Sequence, residues 1–332
     1  LKKTFYLLMI FLIIFNISFS TISNASSLSI GKAKSLSATV QNTNDLQIKL
    51  KWKNDTLLNQ YINQIGNKNI FYQVNVYVRN GNYVASRNLN YKYSDVIINK
   101  DGYAEVNIKL SSLKLDCNYN DLSSTSYNFK IRYGVNLKDI LGSYTYYGNY
   151  SPHAVIGLIY PYNYASSWAI KELDKAMKYN LITNRISSDM EEMISREEFC
   201  ELAVRYYENK LSTTAIYGTN PFKDVNNIEI LKAYNLGIVK GYPDKTFRPT
   251  HPITREDIAV MVERLIKLTN PSIKPNYKTI KTDEKISKYA LNSFLFMYNE
   301  GIIKGSNGRL NPSDNTTRQE AVIILLRAFE KY

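Results

Sequence analysis

The chain changes its hydrophobic period once. Between residues 28 and 158, apolar and polar positions alternate over short runs of β-branched and aromatic residues, broken by Asn, Gly, Asp and Ser. Seven strands are predicted, at 36–41, 46–52, 70–79, 83–89, 104–110, 127–133 and 143–150. Asn80-Gly81-Asn82 and Lys100-Asp101-Gly102 supply turns. Seven short strands imply an all-β sandwich. From 165 to 332 apolar residues recur at every third and fourth position and helix caps appear, so this half reads as mostly α. Pro161 and the Tyr-Asn stretch before Ser166 mark the boundary.

The first residues follow neither pattern. Lys2 and Lys3 precede an unbroken apolar run at 5–15, and small residues at Ser23 and Ala25 precede a cleavage point. This is the layout of a secretory signal peptide over 1–25. The run falls well short of the roughly 20 apolar residues a spanning helix needs. No later segment is long enough, so no transmembrane segment is expected after cleavage.

Self-similarity organises the second half. Three units, at about 165–211, 220–268 and 280–332, align on Arg196, Arg255 and Arg318. Each unit predicts a helix, a turn-rich loop and a second helix. The first helix stops at Gly237 or Gly301 in the later units, where the first has Asn180. The second helices start at Ser195, Thr254 and Thr317, with the capping boxes Ser195/Glu198, Thr254/Asp257 and Thr317/Glu320. Ile194 with Phe199, and Ile253 with Ile258, form hydrophobic staples; Thr316 breaks that rule in the third unit.

An arginine at the first helical position opposes the helix dipole, at a cost of about 0.3–1 kcal/mol. Three equivalent placements need a reason. A guanidinium fork beside exposed N–H groups makes an anion pocket suited to a carboxylate or phosphate on a sugar. The competing reading is an inter-repeat salt bridge to an acid such as Glu197 or Glu256.

Net charge is +13, with +9 in residues 1–164 and +4 in 165–332. A positive exported chain is drawn to polyanions outside the membrane, such as acidic wall glycans or lipid headgroups; nucleic acid is not an expected partner. Cys117 and Cys200 make no disulfide framework. His153 and His251 lack metal-ligand neighbours, and no phosphate loop or nucleophile elbow occurs. No catalytic, metal or cofactor site is predicted, and the chain is read as a non-enzyme.

The strings GIVKGYPDKTFRPTHPITREDIA, GIIKGSNGRLNPSDNTTRQEA and ISREEF, with the Phe222-Lys223-Asp224-Val225 opening, resemble S-layer homology repeats. The resemblance implies a mostly helical, pseudo-threefold spindle of three repeats. It also implies binding of secondary cell-wall polysaccharide, often bearing a pyruvylated amino sugar, in grooves between repeats, and hence a secreted chain on the cell wall or S-layer. By the same resemblance Arg196, Arg255 and Arg318 contact the acidic group. Gly241, Tyr242, Gly305 and Ser306 form groove backbone, and Trp168 stacks on a sugar or fills the core. The first unit departs most, since 183–193 lacks the glycine turn. More weakly, Trp52, the run 70–76, and Leu122, Thr125 and Tyr127 resemble a fibronectin type III-like domain, from which the long stretch 54–68 departs. The first domain then presents a binding or adhesion surface. The alternatives are a wall-associated hydrolase with an unrecognised site and a self-assembling surface-layer component.

Overall fold

The computed structural model describes residues 30–42, 46–117, 121–139, 142–305 and 309–332. The expected signal peptide, 1–25, lies outside the described residues. The chain divides into two compact units between Ile159 and Tyr160. Among the described residues no helix is long and apolar enough to cross a membrane.

The first unit is β-rich. One antiparallel sheet has the order β1 (Lys34–Asn42), β2 (Gln47–Lys53), β6 (Tyr103–Lys109), β5 (Ile97–Ile98). The other runs β4 (Tyr83–Lys92), β3 (Ile70–Asn80), β7 (Thr125–Asp139), β8 (Gly142–Tyr147), and β9 (Ala154–Gly157) also pairs with β7. Strand alternation builds the core. Ile48, Leu50 and Trp52 of β2 face Tyr72, Val74 and Val76 of β3 in one buried cluster. The Trp52 indole donates to Asn54 Oδ1 (3.0 Å), and the Asn54 amide donates to the Tyr72 hydroxyl (3.1 Å), so the buried polar atoms are satisfied. Burial pushes the Tyr72 and Tyr133 hydroxyls well above the ordinary phenol range.

Three elements differ from expectation. The stretch after Trp52 holds helix α1 (Thr56–Ile65), started by Asp55, whose side chain accepts from the Leu57 amide, and stopped at Gly66 with φ 76°. β5 has only two residues, too few for a visible alternation. The last predicted strand ends at Tyr147, and the chain rejoins β7 only at Ala154.

The second unit is helical: α2 (Ile170–Lys178), α3 (Arg196–Leu211), α4 (Ile228–Asn235), α5 (Arg255–Thr269), α6 (Leu291–Asn299) and α7 (Arg318–Lys331). The long helices α3, α5 and α7 pack against one another, and each short helix packs on a long one: α2 on α7, α4 on α3, α6 on α5. Each short helix ends at a left-handed residue, Asn180 (φ 53°), Gly237 (φ 73°) or Gly301 (φ 69°). Asn180 therefore supplies the stop that glycine gives elsewhere, since asparagine tolerates this region better than most residues. Cys200 is fully buried in α3 at the place Ala259 takes in α5; both cysteines are free.

Candidate functional site

The three long-helix starts are tied into a closed ring. The Ile194 amide donates to the Thr316 carbonyl (2.9 Å), Thr316 to Ile253 (3.0 Å), and Ile253 back to Ile194 (3.2 Å). Each of these residues lies two positions before an arginine. The Arg196, Arg255 and Arg318 amides then donate to His251, Asp314 and Glu192 carbonyls, and the Glu197, Glu256 and Gln319 amides to Pro249, Pro312 and Met190. The side chains of Glu197, Glu256 and Gln319 in turn hold Asn227, Ser287 and Ser166, near the start of the next short helix.

The ring corrects one part of the anion-pocket expectation. The first two amides of each long helix are spent on a neighbouring loop, and the third donates to Ser195, Thr254 or Thr317. These N–H groups are not free to hold an anion. What remains is the guanidinium. Each donates to the carbonyl eight residues before the next arginine: Arg196 to Phe247 (2.9 Å), Arg255 to Leu310 (3.1 Å) and Arg318 to Ser188 (3.0 Å).

The arginines differ beyond that bond. Arg318 is locked against Glu198 (2.6 Å). Arg255 is buried, donates to the Lys304 carbonyl (2.8 Å) and has Glu320 at 3.9 Å. Burial lowers the Arg255 pKa from its ordinary value, and Glu320 and Asp314 oppose the shift. Arg196 has no acid partner among the described residues; its guanidinium lies over Phe247 (4.6 Å) and Tyr242 (5.3 Å). The helix caps explain why Arg196 stands apart. Glu198 and Glu320 each close a reciprocal capping box with one oxygen and offer the other to an arginine. Asp257, one methylene shorter, closes no reciprocal box and accepts from the Tyr289 hydroxyl instead (2.7 Å).

Two arginines border open clefts. A 350 Å³ groove is lined by Arg255, Lys304, Gly305, Glu320, Arg327 and Trp168. Trp168 is 55 % exposed, which rules out the core alternative for it. A 110 Å³ cleft repeats the pattern with Arg196, Lys240, Asp257, Arg264 and Tyr289. The matching pairs Lys240/Lys304 and Arg264/Arg327 were missed in the sequence. Arg264 and Arg327 also donate to the Ile238 (3.0 Å) and Ile302 (3.4 Å) carbonyls, and Arg327 forms a two-pronged pair with Glu172 (2.8 and 3.0 Å).

Gly241 and Gly305 are there for close packing. A Cβ on Gly241 would sit 2.2 Å from the Phe222 ring, and one on Gly305 2.7 Å from the Arg309 carbonyl oxygen. Tyr242 stacks under Arg248 (4.1 Å) as well as Arg196. Ser306 lies outside the described residues. Asp224 fastens its turn by accepting from the Phe247 and Arg248 amides (both 2.8 Å). Burial works against its ionisation, but these amides outweigh it and hold the carboxyl below the ordinary range.

Two stretches of the second unit match a known family. Residues 221–259 and 279–322 match the S-layer homology domain. The chain is also similar to the amylopullulanase of Thermoanaerobacterium thermosulfurigenes, 30% identical over 108 residues, 32% of this chain and 5% of that protein. Exoglucanase XynX of Acetivibrio thermocellus is 29% identical over 108 residues, 32% of this chain and 9% of that protein. Cell surface glycoprotein 1 of Acetivibrio thermocellus is 32% identical over 106 residues, 30% of this chain and 5% of that protein. This chain thus spans less than a tenth of the length of these relatives. The S-layer homology match points to attachment at the cell surface or cell wall.

Proposed function

We propose that the chain is exported and attaches non-covalently to a bacterial cell wall through three S-layer homology repeats, 165–211, 220–268 and 280–332. The ligand is an anionic secondary cell-wall polysaccharide, with a pyruvylated amino sugar as the source of its acid. One observation carries this reading: the Arg255 groove gathers three basic residues, Arg255, Lys304 and Arg327, against one acid, Glu320, with the exposed Trp168 indole, around 350 Å³. A sugar ring stacks on the indole while its acid meets the cations. The closed ring supports a third repeat beyond the two matched stretches.

The first unit is read as a fibronectin type III-like domain that presents a binding surface. The order β1-β2-β6 opposite β4-β3-β7-β8 supports this, and the α1 insertion departs from it. The protein is read as non-catalytic. Two adjacent acids of the helical unit have structural partners: Glu197 holds Arg185 and Asn227, and Glu198 holds the Ser195 amide and Arg318.

The test is co-sedimentation of the full chain with purified walls, before and after the non-peptidoglycan polymer is stripped. Retention is expected only before stripping. Equal retention on stripped walls refutes the proposal.

A further inference from the structure

The outward face of the β1-β2-β6 sheet carries more positive charge than its own acids balance. Alternation along β2 turns Gln47, Lys49, Lys51 and Lys53 away from the core that holds Ile48, Leu50 and Trp52. Successive lysines are therefore about 7 Å apart in one line. Across the ladders, Lys51 faces Glu105, Lys49 faces Asn107, Gln47 faces Lys109 and Lys53 faces Tyr103. On the other side Ser37 and Thr39 face Lys51 and Lys49, and Lys34 stands directly opposite Lys53. Lys34 itself reaches Asp55 (3.2 Å). One carboxylate, Glu105, is shared between Lys49 (3.3 Å) and Lys51 (3.4 Å). Lys51 and Lys53 both lie over the Tyr103 ring, at 5.0 and 5.5 Å.

Like charges lined up on one strand, with another opposite, destabilise a sheet. The pairs to Glu105 and the contacts over Tyr103 offset part of this repulsion, and one acid among three lysines leaves the row positive. We infer that this face binds a linear polyanion, with Lys49, Lys51 and Lys53 meeting successive phosphate or carboxylate groups and Tyr103 flooring the track. The charge complementarity is to a repeating chain, since the lysines are spaced along a line and enclose no pocket. The inference gives the binding role proposed for the first unit a face and a partner chemistry.

Two probes separate the sources of negative charge: polyglycerol phosphate and polygalacturonate. Binding of each to the full chain is measured by calorimetry at low and raised salt. The Lys49→Gln/Lys51→Gln/Lys53→Gln variant should bind at least one probe about tenfold more weakly at low salt and with a shallower salt dependence. The Lys→Arg version at the same positions should bind like the parent. A control variant, Lys68→Gln/Lys92→Gln/Lys114→Gln, removes as much charge elsewhere and should lose less. Three outcomes overturn the inference: the first variant binds both probes like the parent, the control loses as much, or the parent binds neither probe. Failure of the wall-anchoring proposal would show separately, as equal retention of the parent on intact and stripped walls.

Discussion

Asp257→Glu isolates the charge of one cleft from its architecture. At the two equivalent positions a glutamate does two things at once. Glu198 accepts from the Ser195 amide (2.9 Å) with one oxygen and from Arg318 (2.6 Å) with the other. Glu320 accepts from the Thr317 amide (2.9 Å) and faces Arg255 at 3.9 Å. Asp257 lacks about 1.5 Å of reach, one carbon–carbon bond, and Arg196 stays without a carboxylate. Lengthening the side chain should complete the Thr254 capping box and bring an acid to Arg196. The cap adds a few tenths to about 1 kcal/mol of stability. A charge-assisted contact from Arg196 to a bound acid contributes about 1.5–3 kcal/mol. Discounted for a half-buried site, the loss on pairing is about 1 kcal/mol, or about fivefold in Kd. The expected signature is a more stable protein that binds worse. Urea unfolding of the helical unit and calorimetry with soluble wall-polymer fragments read the two halves. Unchanged affinity in a variant with raised stability would refute the charge assignment to the Arg196 cleft.

Three further predictions concern the ring and its turns. Thr316→Val should stabilise the helical unit by about 1 kcal/mol, because the Thr316 hydroxyl is buried without a partner, at a place Ile194 and Ile253 fill with hydrocarbon; a lower unfolding midpoint in urea would contradict this. Gly241→Ala should cost about 1–3 kcal/mol by overpacking, since the Phe222 ring cannot vacate 2.2 Å of contact without leaving Phe247 and Tyr234; thermal unfolding checks it. Asp224 has a depressed folded-state pKa, so its contribution is full above the unfolded aspartate value and is lost as pH falls through the folded one. Asp224→Asn should therefore flatten the acid limb of the stability–pH curve, and an unchanged limb would count against it.

Much of the helical unit was legible because its signals are local. Capping residues, apolar spacing and glycine stops act within a few positions, and all three long helices start at the residues the caps indicate. Helix α1 carried the same kind of signal, with Asp55 before apolar Leu57, Leu58, Tyr61, Ile62 and Ile65. Its place between two strands hides it within a half of the chain that otherwise reads as β. The partners of the arginines were not legible. Which carbonyl meets the Arg196 amide depends on a loop 55 residues on in the chain, and the closure of the ring is a tertiary fact. Nothing in the sequence sets Lys240 and Lys304 apart from other loop charges, or Arg264 and Arg327 from other helix charges. Only the docking of one unit on the next turns them towards the same space.

The ring also changes what an arginine substitution means. At each helix start the guanidinium donates to the next unit's turn through Nε or Nη, and that bond offsets the unfavourable place of a cation at the positive helix end. The remaining donors differ: Arg318 gives Nη2 to Glu198 while its buried Nε has no partner, Arg255 gives one to the Lys304 carbonyl, and Arg196 leaves its own beside aromatic rings and an open cleft. Arginine to alanine at any of the three removes an inter-repeat clasp along with any ligand contact, so lost retention would not separate the two. Their equivalence is therefore architectural, since all three close the same ring. Their difference is chemical, and the open state of Arg196 follows from the length of one acid side chain. Grooves that share a frame can in this way carry unequal charge, with Arg196 left open by an aspartate and Arg318 neutralised by a glutamate.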